Sequence, residues 1–298
     1  MGVLKAVAVS GVSLALALAL TVPTGLTRYV LVTFGINWLV ALVHAIPNQS
    51  ERYFDLTGSS TFVTVAGVTA ATTLSSASSQ LSSSAYRSVL ASAMVALWGL
   101  RLGWFLFSRI NADNGIDSRF TELRSDPLRF LSLWSVQSLW VLITTLPLVL
   151  LHGASLATSS PAAAEWTLTD FVGLALWVFG FIVEITADAQ KREFRRDTSN
   201  HDKFITTGLW RFSRHPNYFG EIMLWVGMAV LCVPHLATFA HKLLGCLSPL
   251  FITFLLTRVS GIPLLEQSAD DKWATHPAYQ TYKATTNVLI PWFPKAAK

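Results

Sequence analysis

The side chains best suited to chemistry are concentrated between Arg211 and Gly227, in the stretch RFSRHPNYFGEIMLWVG. This stretch starts as a charged loop and ends as an apolar run. Each ionisable group at depth in a bilayer costs about 2.5 to 3.5 kcal/mol on insertion scales, so several of them together call for a functional reason. A belt of membrane-interface anchors is the alternative, but a belt needs neither Asn217 nor Glu221. The polar members are Arg211, Arg214, His215, Asn217, Tyr218 and Glu221.

Pro216 indicates where a helix starts in this stretch. Its φ angle is already set for a first helical turn, and it has no backbone N–H to leave unpaired. The helix is therefore predicted to begin at His215 or Pro216, with Ser213 as a cap.

In such a helix one face carries an amide, a carboxylate and a phenol. Asn217 and Glu221 lie four residues apart, with Tyr218 beside them, so they point in similar directions. Gly220 and Gly227 leave the helix thin enough for a neighbouring helix or a ligand to approach closely.

Arginines grouped with amides and carboxylates are what a nucleotide cofactor requires. Guanidinium groups hold phosphates, carboxylates bind ribose hydroxyls, and amides recognise a nicotinamide or adenine edge. No GxGxxG motif follows a strand, which excludes a soluble Rossmann domain. The polar residues expected to lie together are Arg101, Asp188, Arg195, Arg196, Arg214, His215, Asn217, Tyr218, Glu221 and Glu266.

The composition indicates an integral membrane protein. Hydrophobic residues make up 52% of the 298 positions and charged residues only 13%, which is too apolar for a soluble domain of this size. Cys232 and Cys246 lie in apolar runs, so the sequence predicts neither a disulfide framework nor a metal site. The net charge of +5 is modest and gives no indication of nucleic acid binding.

The elements that position these residues are apolar segments long enough for helices. We predict an all-α polytopic bundle of seven or eight transmembrane helices, divided into an N-terminal transmembrane hairpin (residues 1–48) and a membrane domain (residues 49–298). The first run is interpreted as a retained helix, with a signal peptide as the alternative. The segments are Val3–Val22, Tyr29–Ile46, the weaker Thr61–Leu74, Val89–Phe107, Phe130–Leu151, Leu168–Ala187, Tyr218–Val233 and Phe239–Val259.

The basic loops predict the orientation. The loops at 109–129 and 188–216 and the tail after Arg258 are separated by even numbers of segments, so they share one side, which should be the cytosol. With eight spans both termini are cytosolic, and the cofactor cavity faces the cytosol. In a eukaryotic cell we expect the protein in the endoplasmic reticulum membrane.

Four quoted stretches carry a family resemblance: ADAQKREFRRD, RFSRHPNYFGEIMLWVG, FLLTRVSGIPLLEQ and VLIPWFP. Together they resemble the steroid 5α-reductase C-terminal-domain family and its bacterial and protozoan-type relatives. The similarity is strongest over Phe171–Pro294 and weaker over Asp55–Arg124, around FDLTG and WGLRLGWFLFSR. It is specific for the superfamily and not for a steroid.

The resemblance implies a membrane reductase that uses NADPH. Such an enzyme reduces a carbon-carbon double bond conjugated to a carbonyl in a lipid lying between its helices, here a steroid, sterol or polyprenoid-like compound. The family's dinucleotide-binding positions match Arg101, Asp188, Arg195, Asn217, Glu221 and Glu266, while Arg214, His215 and Tyr218 belong to the shared motif. No protein partner is implied.

Asp55 matches roughly where the steroid enzymes place a glutamate that orients the substrate carbonyl, and Tyr53 is the nearest tyrosine. Hydride addition to an enone builds charge on the carbonyl oxygen, so a hydrogen-bond donor and a proton source are needed there. A carboxyl group in an apolar cavity stays protonated and can serve as both. The alternative for Asp55 is a helix cap for the next segment.

Two other functions fit parts of the pattern. Isoprenylcysteine-type carboxyl methyltransferases share a basic-His-Pro-x-Tyr-x-Gly motif and use S-adenosylmethionine, but they usually carry adjacent glutamates where this chain has Leu265, Glu266 and Gln267. A non-enzymatic lipid-binding membrane protein is the third interpretation. A second His-Pro-x-Tyr pattern, His276 to Tyr279, is interpreted as a surface turn.

Overall fold

The computed structural model describes residues 3–76, 82–112, 115–117, 120–157 and 165–295. Helices dominate these ranges, and a single isolated β-bridge in them joins Ser213 and Asn287. The all-α prediction is confirmed. In chain order the helices are α1 (Val3–Thr21), α2 (Thr27–Val40), α3 (Ile46–Asn48), α4 (Phe54–Ser75), α5 (Ser83–Ala112), α6 (Pro127–Ala157), α7 (Leu168–Arg196), α8 (Pro216–Cys232), α9 (Phe239–Phe254), α10 (Gly261–Trp273) and α11 (Pro277–Thr285).

Seven helical segments of the described chain are long and apolar enough to cross a membrane. They confirm the polytopic prediction and correspond to seven of the eight predicted segments. The eighth, α4, has 22 residues, enough for about 33 Å of helix at 1.5 Å per residue, but it is less apolar than the others. The seven are Leu4–Thr21, Thr27–Asn48, Ser83–Ala112, Pro127–Ala154, Leu168–Arg196, Pro216–His235 and Phe239–Trp273.

The chain forms two compact units, and the first comprises Met1–Thr167 and Cys232–Ser248. Its helix α4 packs against α2, α5 and α6. Several polar side chains of this unit pair inside it: Asn37 donates to Thr61 Oγ1 (3.2 Å) and Gln137 donates to Asn37 Oδ1 (2.8 Å). His152 Nδ1 lies 2.7 Å from Thr73 Oγ1. Hydrogen bonds between helices thus replace the apolar contacts that α4 lacks.

The second unit comprises Leu168–Leu231 and Pro249–Lys298. Glycines let its helices α7 and α8 approach backbone to backbone. A Cβ added to Gly220 would lie 2.6 Å from the backbone oxygen of Gly180, and one added to Gly227 would lie 2.7 Å from that of Gly173. The neighbour that Gly220 and Gly227 were expected to admit is therefore α7, whose own glycines repeat at the same spacing of seven residues.

A π-helical turn, Leu255–Val259, separates α9 from α10 in sequence. It ends at Gly261, whose φ of +41° is a conformation that only glycine adopts readily. A Cβ at Gly261 would lie 2.8 Å from Leu256 O and 3.0 Å from Tyr218 Cε2. This bend sends α10 alongside the loop that precedes α8.

Candidate functional site

The loop before α8 places the motif residues. The helix begins at Pro216, as predicted. Ser213 does not cap the helix: its Oγ accepts a hydrogen bond from the backbone N–H of His215 (3.1 Å), which forms a turn just before the first helical residue. The same hydroxyl donates to Leu289 O (2.7 Å), so it also ties the loop to the C-terminal segment.

Arg214, His215 and Glu266 form one hydrogen-bonded cluster. Arg214 donates through Nε and Nη2 to the two oxygens of Glu266, at 3.1 and 2.9 Å. His215 Nε2 lies 2.8 Å from Glu266 Oε1. The fork of two parallel bonds is the strongest geometry that arginine and carboxylate adopt. Because both oxygens of Glu266 are already engaged, we interpret this carboxylate as the group that orients the other two side chains.

The side chain of His215 is held by Glu266 and Tyr218. Its ring stacks on Tyr218, with centroids 5.8 Å apart and planes 10° apart, and Tyr218 in turn lies against Gly261. Burial lowers the pKa of His215, although the hydrogen bond to Glu266 opposes this, so the imidazole is neutral at physiological pH. Its Nδ1 is buried and has no hydrogen-bond partner within the described residues.

Asn217 and Asp188 bridge α7 and α8. Asn217 Nδ2 donates to Asp188 Oδ1 at 3.2 Å, while Asn217 Oδ1 is buried without a partner in the part of the chain that the structure describes. Buried polar atoms are nearly always hydrogen-bonded in proteins. Two such unpaired atoms, on Asn217 and on His215, are the feature expected where a polar ligand binds.

A cavity of about 410 Å³ opens beside this cluster, within the second unit. Its wall carries five cationic side chains and a single carboxylate, that of Glu266, which Arg214 already neutralises. Aromatic rings supply most of the remaining wall. The cations are Lys191, Arg195, Lys203, Arg214 and Lys272, and the rings are those of Phe194, Phe204, Trp210, Trp273, Tyr279 and Tyr282, with His201 and His215.

Several cavity residues were not predicted from the sequence. Lys191 Nζ lies 4.5 Å from the centre of the Trp210 ring, and Lys272 Nζ lies 5.0 Å from that of Trp273. Lys203 joins them on the wall. From the sequence, Lys191 and Lys203 were expected only as part of a basic loop. Nothing in the spacing of these lysines shows that α10 brings Lys272 to the same cavity.

The interpretation of His276 to Tyr279 as a surface turn is wrong for Tyr279. The pattern starts helix α11, and Tyr279 is 4% exposed. Its hydroxyl donates to Asp270 (2.9 Å), which also binds Lys283 Nζ (2.5 Å). Burial raises the pKa of Tyr279 and of Tyr282, so both phenols remain hydrogen-bond donors. The pattern marked a helix start, and sequence spacing could not show that α10 would cover it.

Three predicted site residues belong to the first unit. Asp55 lies in the first turn of α4, 3.4 Å from Arg109 Nη2; the residue at the N-cap position is Tyr53, so Asp55 is not the cap. Tyr53 packs on the rings of His44 and Phe107. Arg101 lies 5.3 Å from the ring centre of Phe105. Their roles in substrate or cofactor binding stay predictions, as does that of Glu221 in α8.

Comparison with known proteins finds several chains that are similar to this one. The chain is 30% identical over 121 residues to a rat 3-oxo-5-alpha-steroid 4-dehydrogenase 1, covering 40% of each chain. It is 35% identical over 71 residues to the human protein of that name, which is 23% of this chain and 27% of the relative. With a chicken Delta(14)-sterol reductase LBR it shares 29% over 107 residues, which is 31% of this chain and 16% of the relative.

These matches confirm the resemblance to the steroid 5α-reductases, and they span less than half the length of each relative. No solved structure matches the chain significantly. A family model does match, over residues 37–286. That range includes the whole of α4 to α10 and the Arg214, His215 and Glu266 cluster, so the chain belongs to the family described as Protein of unknown function (DUF1295).

Proposed function

We propose that this membrane protein is an NADPH-dependent reductase of a carbon-carbon double bond conjugated to a carbonyl in a sterol-like, steroid or polyprenoid-like lipid. One observation carries the proposal: a cationic cavity is lined by His215, whose buried Nδ1 has no partner among the described residues, in a chain related to lipid reductases. Bound NADPH would supply the hydride.

The cavity fits a dinucleotide in charge and in chemistry. NADPH carries its negative charge on a diphosphate and a ribose phosphate. Of the five cations on the cavity wall, Arg214 neutralises the carboxylate of Glu266, so the wall keeps an excess of four positive charges. Asn217 Oδ1 is an acceptor suited to the N–H group of a carboxamide or an adenine. Neutral His215 is locked by Glu266 and Tyr218, so it offers one fixed ring nitrogen.

We propose that residues of the first unit bind the carbonyl group of the substrate. An enone oxygen that gains charge needs a hydrogen-bond donor and then a proton. Asp55 is our candidate acid and Tyr53 the second. The nearby Arg109 would have to release Asp55, or exchange partners, before the carboxyl group could be protonated. Reduction therefore requires that this 3.4 Å pair separate when substrate binds.

Ligand-dependent thermal stability tests the cofactor. A ligand at about one hundred times its dissociation constant stabilises the folded protein by about 2.7 kcal/mol. We expect NADPH to raise the melting temperature of the purified protein and S-adenosylmethionine not to. Asn217→Ala and Glu221→Ala should lose the NADPH effect, while Asn48→Ala, which removes an exposed asparagine of α3, should keep it.

The alternative functions predict different results. Stabilisation by S-adenosylmethionine alone would identify a methyltransferase of the isoprenylcysteine type. A response to neither ligand would leave a non-enzymatic lipid-binding protein. An analysis of the lipids in cells that lack the protein then identifies the substrate, since the unsaturated precursor should accumulate there. We further propose that a eukaryotic cell holds the protein in the endoplasmic reticulum membrane with both termini in the cytosol.

A further inference from the structure

The segment after α11 is bound along the loop that leads into α8. We name residues 287–295 the C-terminal strap. Asn287 O accepts a hydrogen bond from the backbone N–H of Arg214 (2.8 Å), and Trp292 donates its own N–H to Phe212 O (3.1 Å). With the bond from Ser213 to Leu289 O, three links fix the strap over its length.

The strap presents large apolar side chains to its surroundings. The exposed fractions are 43% for Val288, 64% for Ile290, 69% for Trp292 and 73% for Phe293. Pro291 and Pro294 set the backbone against helix formation. Several large apolar side chains exposed on one short, bound segment mark a surface that meets something other than water.

The position of the strap identifies what it meets. The strap lies beside residues 212–214, and the candidate membrane span of α8 begins at Pro216. These backbone groups are therefore within about one helical turn of the point where the chain enters the bilayer. Tryptophan and other aromatic rings concentrate at that level of a membrane.

The charges beside the strap agree with a lipid surface. Arg211 and Lys295 are exposed cations near its apolar residues, and cations of this kind are attracted to anionic headgroups. A second copy of the chain is a poorer occupant, because a symmetric pair of straps would bring the same cations together. We propose that the strap is an interfacial anchor, with Ile290, Trp292 and Phe293 inserted into the lipid at the headgroup boundary.

The anchor has a mechanical consequence for the candidate site. Arg214 is held by the strap through its backbone N–H, and its Nη1 donates to Lys283 O (2.5 Å) at the end of α11. The same arginine orients Glu266 and His215. Contact between strap and bilayer therefore helps to keep this cluster in place. The anchor itself does not depend on which reaction the protein catalyses.

Site-directed spin labelling in lipid tests the anchor. In a Cys232→Ala, Cys246→Ala background, single cysteines replace Ile290, Trp292 and Phe293, and the labelled proteins are reconstituted in vesicles of phosphatidylcholine and phosphatidylglycerol. We expect each label to collide more with oxygen, which dissolves in the bilayer, than with a water-soluble nickel complex. Asp202→Cys is the control, since Asp202 is 85% exposed in a polar loop; its label should show the opposite preference.

Two results would overturn the proposal. The first is strap labels that respond like the Asp202 control. The second is spin–spin broadening in the singly labelled protein, which would show a second copy covering the strap. If a cysteine variant fails to fold, the native protein and Trp292→Phe can be compared in vesicles of lipid brominated on the acyl chain. The emission lost with Trp292 should be quenched by bromine, and unquenched emission would count against the anchor.

Discussion

Glu266 joins Arg214 and His215 in the candidate site. It accepts two hydrogen bonds from Arg214 and a third contact from His215, and Arg214 is only 10% exposed. A cationic cavity would repel its own side chains without this carboxylate. The cluster therefore holds the loop before α8 and balances one of the five positive charges on the cavity wall.

Glu266→Gln should destabilise the protein and weaken cofactor binding together. The amide cannot accept both bonds from a guanidinium, and a lost hydrogen bond to a charged group costs about 1.5 to 3 kcal/mol. We expect a melting temperature several degrees lower, measured by intrinsic fluorescence in detergent. Glu193→Gln, an exposed glutamate on α7, should leave it unchanged. Equal melting temperatures for both variants would contradict the orienting role.

His215 should make stability depend on pH. Its pKa is lowered in the folded protein, chiefly by burial, whereas in the unfolded chain it is about 6.5. Between these two values the unfolded state binds more protons, so stability falls as the pH drops below about 6.5 and levels off below the folded pKa. Melting temperatures between pH 8 and pH 5 should show this fall, and His215→Gln should show a shallower one. A melting temperature of the native protein that stays constant or increases as the pH is lowered would refute the assignment.

At the scale of helices, the backbone approach between α7 and α8 decides where the site residues lie. Gly173 and Gly180 face Gly227 and Gly220, and this contact brings Asp188 to Asn217. Close packing of this kind stabilises a helix pair where lipid offers no hydrophobic drive.

Gly220→Ala should be destabilising while Gly67→Ala is not. The added methyl at 220 would lie 2.6 Å from backbone atoms of α7, which cannot rotate away, but at Gly67 nothing lies within 4 Å. Gly67 is exposed on α4, and alanine there should raise helix stability by up to about 1 kcal/mol. Opposite shifts in melting temperature are expected. An unchanged melting temperature for Gly220→Ala would show that α7 and α8 separate in solution.

At the scale of the whole molecule, the question is how many times the chain crosses the bilayer. Seven helical segments of the described residues are apolar enough, and α4 decides whether the count is seven or eight. With α4 as a span, the basic loops and both termini share the cytosolic side. Without it, the segments before α4 change sides.

Sided labelling separates the two topologies. In a protein without its native cysteines, Thr24→Cys lies in the turn between α1 and α2, and Asp202→Cys lies in the basic loop. Eight spans place these two on opposite sides, so an impermeant maleimide added to sealed vesicles should label only one of them. Labelling of both from the same side would mean seven spans.

Hydropathy predicted most of the helices, since an apolar run of about 17 to 25 residues is the length that a bilayer-spanning helix requires. The segment predicted from hydropathy, Thr61–Leu74, was shorter than α4, because most of residues 54–60 are polar or glycine. The site was predicted where its residues are neighbours in sequence, as with the helix start at Pro216. Contacts such as Arg214 with Glu266, 52 residues apart, follow from the bend at Gly261. No periodicity in the sequence indicates that bend.

The polar character of α4 also affects how the protein is made. A nascent helix leaves the translocon for lipid when its side chains partition there by themselves, and the threonines and serines of α4 do not favour this. Thr61, Thr69 and Thr73 find partners on α2 and α6, and the partner on α6, His152, is synthesised later. If α4 spans the membrane, we expect its stable insertion to depend on α6 as well as on α2, because Thr73 pairs with His152. A substitution at His152 would then appear as a fraction of chains with inverted topology and early degradation, before any effect on the finished protein is seen.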